Sequence, residues 1–263
     1  MFIHFPVLTS PKNSTIQHVR DLQKHPRARR EAGQYVVEGV RLTEEALASG
    51  VIPQIVIHTA DVGVRGEAVL AGFRTQGVNP IPVSDAVMQV ASDTQTPPGL
   101  LAVLPIQPHP IPPHPTFVLI LDGVRDPGNL GTMMRTAAAA GVDALLLAPE
   151  TADPYAPKVV RAGMGAHFRL PIHAMDWNTI RTQVSALHVF LADAHRGKPH
   201  TTSDFSQPLA LVIGGEAHGA SNELHSLHPT PVHIPMPGKT ESLNAAMAAG
   251  ILMFEVVRQR DVA

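Results

Sequence analysis

The residues that could do chemistry gather in three stretches of the second half of the chain. Asn129 and Arg135 lie in DPGNLGTMMRTAAAAG, Glu216 and His218 in LVIGGEAHG, and Ser242 and Asn244 in IPMPGKTESLNAAMAAG. Each stretch follows strand-like apolar residues and opens toward a helix-like pattern, the layout of a ligand site built from loops at the carboxyl ends of strands. Glycine loops after strands suit phosphates, so nucleotide binding is the first chemistry to weigh. Gly214 and Gly219 have the GxxxxG spacing of a P-loop, but Ala220 and Ser221 follow where a phosphate-binding lysine belongs. Gly128 and Gly131, after TFVLILDGV, do not make GxGxxG, although Glu150 lies about twenty residues on, where a ribose-binding acid would stand. ATP hydrolysis and dinucleotide binding are therefore disfavoured.

Metal chemistry finds little support. His109 and His114 sit in the spacer QPHPIPPHP without HExxH spacing, and the Cys count of 0 excludes a disulfide framework and a zinc-thiolate site. Near the start, Lys12, Arg20, Lys24, Arg27, Arg29, Arg30 and Arg41 outweigh Asp21, Glu31 and Glu38. Such a run is either a solvated helix face or a surface that contacts phosphates, and Arg27, Arg29, Arg30 and Arg41 are the candidates for the second role. The formal net charge of -2 means that any nucleic-acid contact must come from local patches of this kind.

The elements that must position these residues alternate. QYVVEG, PQIVIHT, NPIPVS and GLLAVLPI read as strands, with helices through LTEEALASG, near GEAVLAGFRTQG, and from Ser84 as N-cap through DAVMQVASD. This α/β unit, residues 1–106, ends at the proline-rich linker 107–115, whose prolines favour extended conformers. Residues 116–263 form the second unit. There TFVLILDGV, DALLLA, FRLPI, HVFLAD, LALVIGG and VHIPM read as strands, and helices run through PKVVRAGMGA, DWNTIRTQVSA, SNELHSL and the C-terminal segment.

In the first helix of this unit Asn129 stands where an N-cap belongs and Gly141 where a C′ glycine belongs. Leu130, Met134, Ala137 and Ala138 make its apolar stripe, with Arg135 off it. Leu243, Met247, Gly250, Phe254 and Val257 share one face of the last helix and are expected to be its core side. A hydrophobic fraction of 44%, a charged fraction of 16%, apolar runs too short for a membrane span and no basic, apolar leader predict a soluble cytoplasmic protein.

Side by side, the three stretches resemble the ordered motifs of the SpoU family of RNA ribose 2′-O-methyltransferases, with KVVRAGMGA similar to the family's intervening helix. Residues 1–106 are similar to the family's small α/β substrate-binding domain, related in shape to a ribosomal protein. The resemblance implies an α/β catalytic domain with a C-terminal trefoil knot, S-adenosylmethionine bound within the knot, and a homodimer whose sites draw on both subunits. It also implies that Gly214, Gly215, Ile234, Met236 and Leu243 contact the cofactor. Asn129, Arg135, Glu216, Ser242 and Asn244 match the catalytic or polar positions. The family often has Ser where this chain has Gly163, so no hydroxyl role passes to that position.

The residues agree with this chemistry. A sulfonium nucleoside needs apolar cover and backbone hydrogen bonds but little phosphate machinery, which suits these loops. A ribose hydroxyl must lose its proton as it attacks the methyl, and Arg135, which scarcely deprotonates, would orient it and stabilise the developing alkoxide. Simpler roles stand beside these: Asn129 as a cap, Ser242 as a cap of the last helix, Asn244 as a loop tie, Glu216 as a surface carboxylate or the orienter of the arginine, and His218 as a solvent-facing residue. The reading is a methyltransferase acting on structured RNA, rRNA before tRNA, without metal or membrane. The rivals are a noncatalytic knotted RNA-binding dimer and a Rossmann-type nucleotide enzyme.

Overall fold

The computed structural model describes residues 6–107, 109–215, 223–238 and 240–261. The first elements in chain order are α1 (Ser14–Lys24), α2 (Pro26–Ala32), β1 (Gln34–Glu38), α3 (Val40–Ala48), β2 (Ile55–His58), α4 (Gly63–Thr75), β3 (Ile81–Pro82), α5 (Asp85–Ala91) and β4 (Leu100–Pro105). Then come β5 (Phe117–Asp122), α6 (Pro127–Ala139), β6 (Ala144–Leu147), α7 (Pro157–Gly163), β7 (Ile172–Ala174), α8 (Trp177–Gln183) and β8 (His188–Ala192). The last are β9 (Lys198–Pro199), β10 (Leu209–Gly214), β11 (Thr230–His233) and α9 (Ala245–Asp261). The chain divides into two compact units, Met1–Gln107 with Tyr155–Phe168, and Pro108–Pro154 with Arg169–Ala263. None of the described helices is long and apolar enough to cross a membrane.

The first unit is a four-stranded sheet in the order β1-β4-β2-β3, covered on both faces. Side chains alternate along β4. Leu101 and Val103 join Val36 and Ile57 beneath Ile16, Val19, Leu22, Val87 and Met88. Leu100, Ala102 and Leu104 face Leu42, Ala46, Val69, Leu70 and Phe73 in a second core, to which Val160 and Phe168 of the later segment also belong. Tyr155 and His167 complete an aromatic cluster with Tyr35 at centroid distances of 5.0–5.7 Å, so α7 is built into this unit. Ser84 caps α5, as its sequence predicts, accepting the Val87 N–H.

The second unit is a seven-stranded parallel sheet in the order β7-β6-β5-β10-β8-β11-β9. Parallel strands covered on both faces need near-continuous apolar sequences, and every residue of FVLILD and ALLL is buried. Val118, Ile120, Leu146, Ala210 and Val212 pack with Trp177 and Ile180 of α8, while α9 packs on β10 and against α6. β10 lies between β5 and β8, so the chain moves off to opposite sides after β5 and after β10, and the crevice at their carboxyl ends is the natural ligand position.

Four expectations change. Asp126 rather than Asn129 caps α6: its Oδ1 accepts the Asn129 N–H at 2.7 Å, with Pro127 at the first helical position. The Asp-Pro pair is the stronger start signal, because proline's missing N–H and fixed φ suit the first turn. FRLPI becomes a 3-10 turn at Ala166–Phe168, and the strand forms only after Pro171, at Ile172–Ala174. SNELHSL is described only from Glu223, as a 3-10 turn. The core face of α9 is Ala246, Ala249, Leu252, Met253 and Val256, whereas Leu243, Met247 and Phe254 of the expected side are 38–61% exposed, as is Ile251.

Candidate functional site

At the carboxyl ends of β8, β10 and β11 the loops converge on a cavity of about 300 Å³. Its wall contains Gly214 and Gly215 after β10, Ile234 and Met236 after β11, and Ser242 and Leu243 before α9, all named from the sequence. Leu191, Ala192, Asp193 and Ala194 after β8, with Ala245, Ala248 and Leu252 of α9, complete it. Sequence reasoning misses the β8 residues, although LAD closes a parallel strand and so marks a ligand loop by position alone. Glu216, with His218, lies outside the described residues.

Gly215 owes its identity to packing. Its N–H donates to the Asp122 carbonyl at 2.8 Å, and a Cβ there would stand 2.3 Å from the Gly123 oxygen, so only glycine lets β10 leave the sheet this close to β5. The lining is mainly apolar, and among the described residues the one carboxylate on it belongs to Asp193. Burial pushes the Asp193 carboxyl upward, but the His195 and Arg196 backbone N–H groups, each 2.8 Å from its Oδ1, and the nearby Arg196 and His195 charges outweigh this and hold it below the usual range. The cavity therefore offers apolar cover, strand-end backbone groups and one anionic edge. That is a set suited to a cationic nucleoside and not to a polyphosphate.

Beside the cavity, two sequence candidates meet. Asn244 Oδ1 accepts the Ala246 and Met247 N–H groups at 2.9 and 3.2 Å, which caps α9. That cap fixes the sense of the amide, so Asn244 Nδ2 donates, and it does so to Asn129 Oδ1 at 3.0 Å. Asn129 is thereby held at the start of α6. Arg135 stands six residues on, about 9 Å along the axis, on the exposed side of α6. A Cβ built on Gly250 of α9 would lie 3.8 Å from the methyl of Thr136, the sequence neighbour of Arg135. The exposed stripe of Met247, Ile251 and Phe254 thus belongs to the helix that packs against α6.

The basic candidates of the first unit separate. Arg27, Arg30 and Arg41 are exposed, Arg27 pairing with Glu31 at 2.6 Å. Arg29 is only 3% exposed, and its Nη1 donates to the Leu22 and Gln23 carbonyls at the end of α1. It closes a helix end that would otherwise leave carbonyls unpaired, so it is withdrawn from the RNA-contacting set. Among the described residues no group of three or more His, Asp or Glu could hold a metal ion.

Residues 116–254 match the model of the SpoU rRNA Methylase family, and residues 13–102 match the MRM3-like substrate binding domain. The chain is 32% identical to "rRNA methyltransferase 3, mitochondrial" of Xenopus tropicalis, over 95% of this chain and 75% of that protein. It is likewise 32% identical to the "23S rRNA (guanosine(2553)-2′-O)-methyltransferase RlmP" of Bacillus subtilis, over 95% and 98%. The crystal structure of the SpoU methyltransferase AviRb from Streptomyces viridochromogenes, in complex with the cofactor AdoMet, superposes with a TM-score of 0.85 at 28% identity, covering 95% of this chain and 99% of that one.

Proposed function

The chain belongs to the SpoU rRNA methylase family, and on that premise we propose that it transfers a methyl group from S-adenosylmethionine to a ribose 2′-hydroxyl of ribosomal RNA. The observation that carries this reading is the convergence of the loops after β8, β10 and β11 on one apolar cavity beside the Asn129–Asn244 contact. The bound cofactor would supply an electrophilic methyl on a sulfonium. Ile234, Met236 and Leu243 would cover its apolar parts, Gly214 and Gly215 would let the backbone approach, and the ionised Asp193 would favour its positive charge. Asn244, fixed by its cap, holds Asn129, and Ser242 lies on the cavity wall. The guanidinium of Arg135 is the group we assign to the acceptor, orienting the ribose and stabilising its developing alkoxide. Glu216 is kept as the orienter of that arginine.

The proposal has three further parts. The first is a homodimer through the α6 and α9 faces, supported by the exposed apolar stripe of α9 and its position next to the helix that carries Arg135. The second is the trefoil knot, supported by the placing of β10 between β5 and β8 before the chain runs on through β11 to α9. The third is the division of labour: residues up to 106 recognise RNA, with Arg27, Arg30 and Arg41 on phosphates, 107–115 is the joint, and 116–263 carries catalysis. A cytoplasmic location goes with this reading, whereas the Xenopus relative is named as mitochondrial. The experiment is methyl incorporation into rRNA from labelled S-adenosylmethionine, with 2′-O-methyl mapping of the product. Arg135→Ala is expected to abolish transfer while S-adenosylmethionine still binds, and Arg135→Lys to rescue poorly because a point charge does not replace the planar fork. Normal turnover by Arg135→Ala would remove the assignment.

A further inference from the structure

A second cleft opens at the other end of β8 and β11, away from every residue assigned to methyl transfer. It measures about 510 Å³ and is lined by His188, Lys198, Thr202, Asp204, Gln207 and Thr230 among others. At its aromatic side the His188 ring lies 4.4 Å from that of Phe190, which meets Phe205 edge-on at 4.8 Å. Phe190 and Phe205 are buried but His188 is exposed, so this tilted, edge-on cluster ends in a ring open to a further planar group. The His188 Nε2 lies 2.9 Å from Thr230 Oγ1, which fixes the orientation of that ring. Around it the hydroxyls, the Gln207 amide and the Asp204 carboxylate supply donors and acceptors, Asp204 already accepting from the Ser206 N–H and hydroxyl at 2.9 and 2.6 Å.

The cationic edge of the cleft is built rather than loose. Asp193 accepts the backbone N–H groups of His195 and Arg196, and Lys198 and Pro199 pair in parallel with Val232 and His233. Between them, Gly197 is pressed so close to β11 that a Cβ would lie 1.8 Å from the Pro231 oxygen. Lys198 therefore projects into the cleft from a short, tied segment. Arg27, Arg65, Arg125, Arg161 and Arg258 each have a carboxylate partner, whereas Lys198 forms no ion pair among the described residues.

The segment also joins two cavities. Asp193 and Ala194 line the donor cavity and Gly197 and Lys198 line the second cleft, while β8 runs from His188 in one to Ala192 in the other, about 13 Å along the strand. We propose that this cleft is a subsite for an unpaired nucleotide of the RNA substrate, its base stacked on His188 and its phosphate held by Lys198. A splayed base offers a π-face and hydrogen-bonding edges, which is what one exposed ring among short polar side chains can read, whereas a paired helix hides both. The inference rests on the RNA reading above and deepens it by naming a single-stranded feature near the methylated ribose.

The test uses the full chain, a fluorescent single-stranded RNA 12-mer of mixed sequence, and the same 12-mer in a perfect duplex. His188→Ala is expected to weaken single-strand binding by about 5- to 150-fold and to leave the duplex unaffected, and His188→Phe to restore most of the loss. Lys198→Ala is expected to flatten the log-log salt dependence of single-strand binding by about 0.7, the value for one phosphate no longer neutralised. S-adenosylmethionine affinity, read by calorimetry, should be unchanged in all three. Equal single-strand affinity and salt slope in the wild type and the variants would overturn the subsite, as would loss of S-adenosylmethionine binding in His188→Ala, which would mark a merely structural ring. Methyl transfer to rRNA is assayed separately. Its absence in the wild type would strike the functional reading, and the binding series would still decide the cleft.

Discussion

Asn244 does two separable jobs, and its substitution can tell them apart. In Asn244→Ala the Ala246 and Met247 N–H groups lose their acceptor, which costs about 1 kcal/mol for an N-cap. The hydrogen bond to Asn129 goes as well, adding about 0.5–1 kcal/mol for a solvent-accessible pair. The sum, about 1.5–2 kcal/mol, should lower the melting temperature by about 3–8 °C. Asn244→Asp keeps the cap and adds a negative charge at the start of α9, so its stability should equal or slightly exceed that of the wild type. A carboxylate cannot donate to Asn129 Oδ1, however, and Asn129 must turn its amide over to meet it. It then presents an oxygen where it presented N–H. Methyl transfer by Asn244→Asp should therefore fall at least about tenfold, the scale of one misdirected hydrogen bond, in a protein that melts normally. Thermal denaturation and labelled methyl incorporation, run on both variants, make the comparison. Wild-type turnover in Asn244→Asp would refute the positioning role, and an unchanged melting temperature in Asn244→Ala would refute the cap.

The remaining outcomes concern the dimer, pH and the basic patch. Met247→Glu with Phe254→Glu should yield a monomer in sedimentation with little methyl transfer, since both side chains lie on the exposed stripe of α9; an intact dimer would exclude this face. The Arg258 guanidinium, which donates to both oxygens of the Glu255 carboxyl, outweighs the upward push of burial and, helped by Gln259, holds that carboxyl down at about 2. A depressed folded value gives stability that is full above the unfolded pKa near 4.5 and lost as pH falls toward about 2, so Glu255→Gln should flatten the acid unfolding profile in that window. Arg29→Ala should lower stability by about 1.5–3 kcal/mol in denaturant titrations. Arg27→Ala with Arg30→Ala should leave stability unchanged but reduce the salt slope of RNA binding by about one to two units, and an unchanged slope would return these residues to a solvated helix face.

The sequence made the strands and their ligand-bearing ends legible because a parallel strand buried on both faces has to be a continuous apolar run, as in FVLILD, ALLL and LALVIG. Five cofactor candidates and Ser242 fall on one cavity for the same reason: they follow such runs or precede the helix that closes them. What was not legible is tertiary. β9 is two residues, Lys198 and Pro199, with no pattern of its own, and it exists only because β11 lies beside it. Tyr155–Phe168 packs into the first unit through Val160, Phe168 and the Tyr35 cluster, and contiguity along the chain gives no sign of that. Arg29 has the composition of a surface residue in a basic run, but its burial is set by how α2 turns back on the end of α1.

The two faces of α9 are the hardest of these to tell apart. Its sequence, AAMAAGILMFEVV, is apolar around most of the circumference, so a stripe at helical spacing can be drawn on either side and periodicity cannot choose between them. Packing on β10 and α6 covers the side of Ala246, Ala249, Leu252, Met253 and Val256, whose small residues allow close approach. The other side keeps Met247, Ile251 and Phe254 in water, which a helix of one isolated chain gains nothing by doing. A helix that is hydrophobic all round is buried all round, so the uncovered half calls for a second surface. The homodimer proposed above would supply it, with another copy of this chain brought against the helices that carry Arg135 and begin at Asn244. On that proposal Met247 and Phe254, which the sequence placed on the core side and this chain alone leaves exposed, would be covered by the partner.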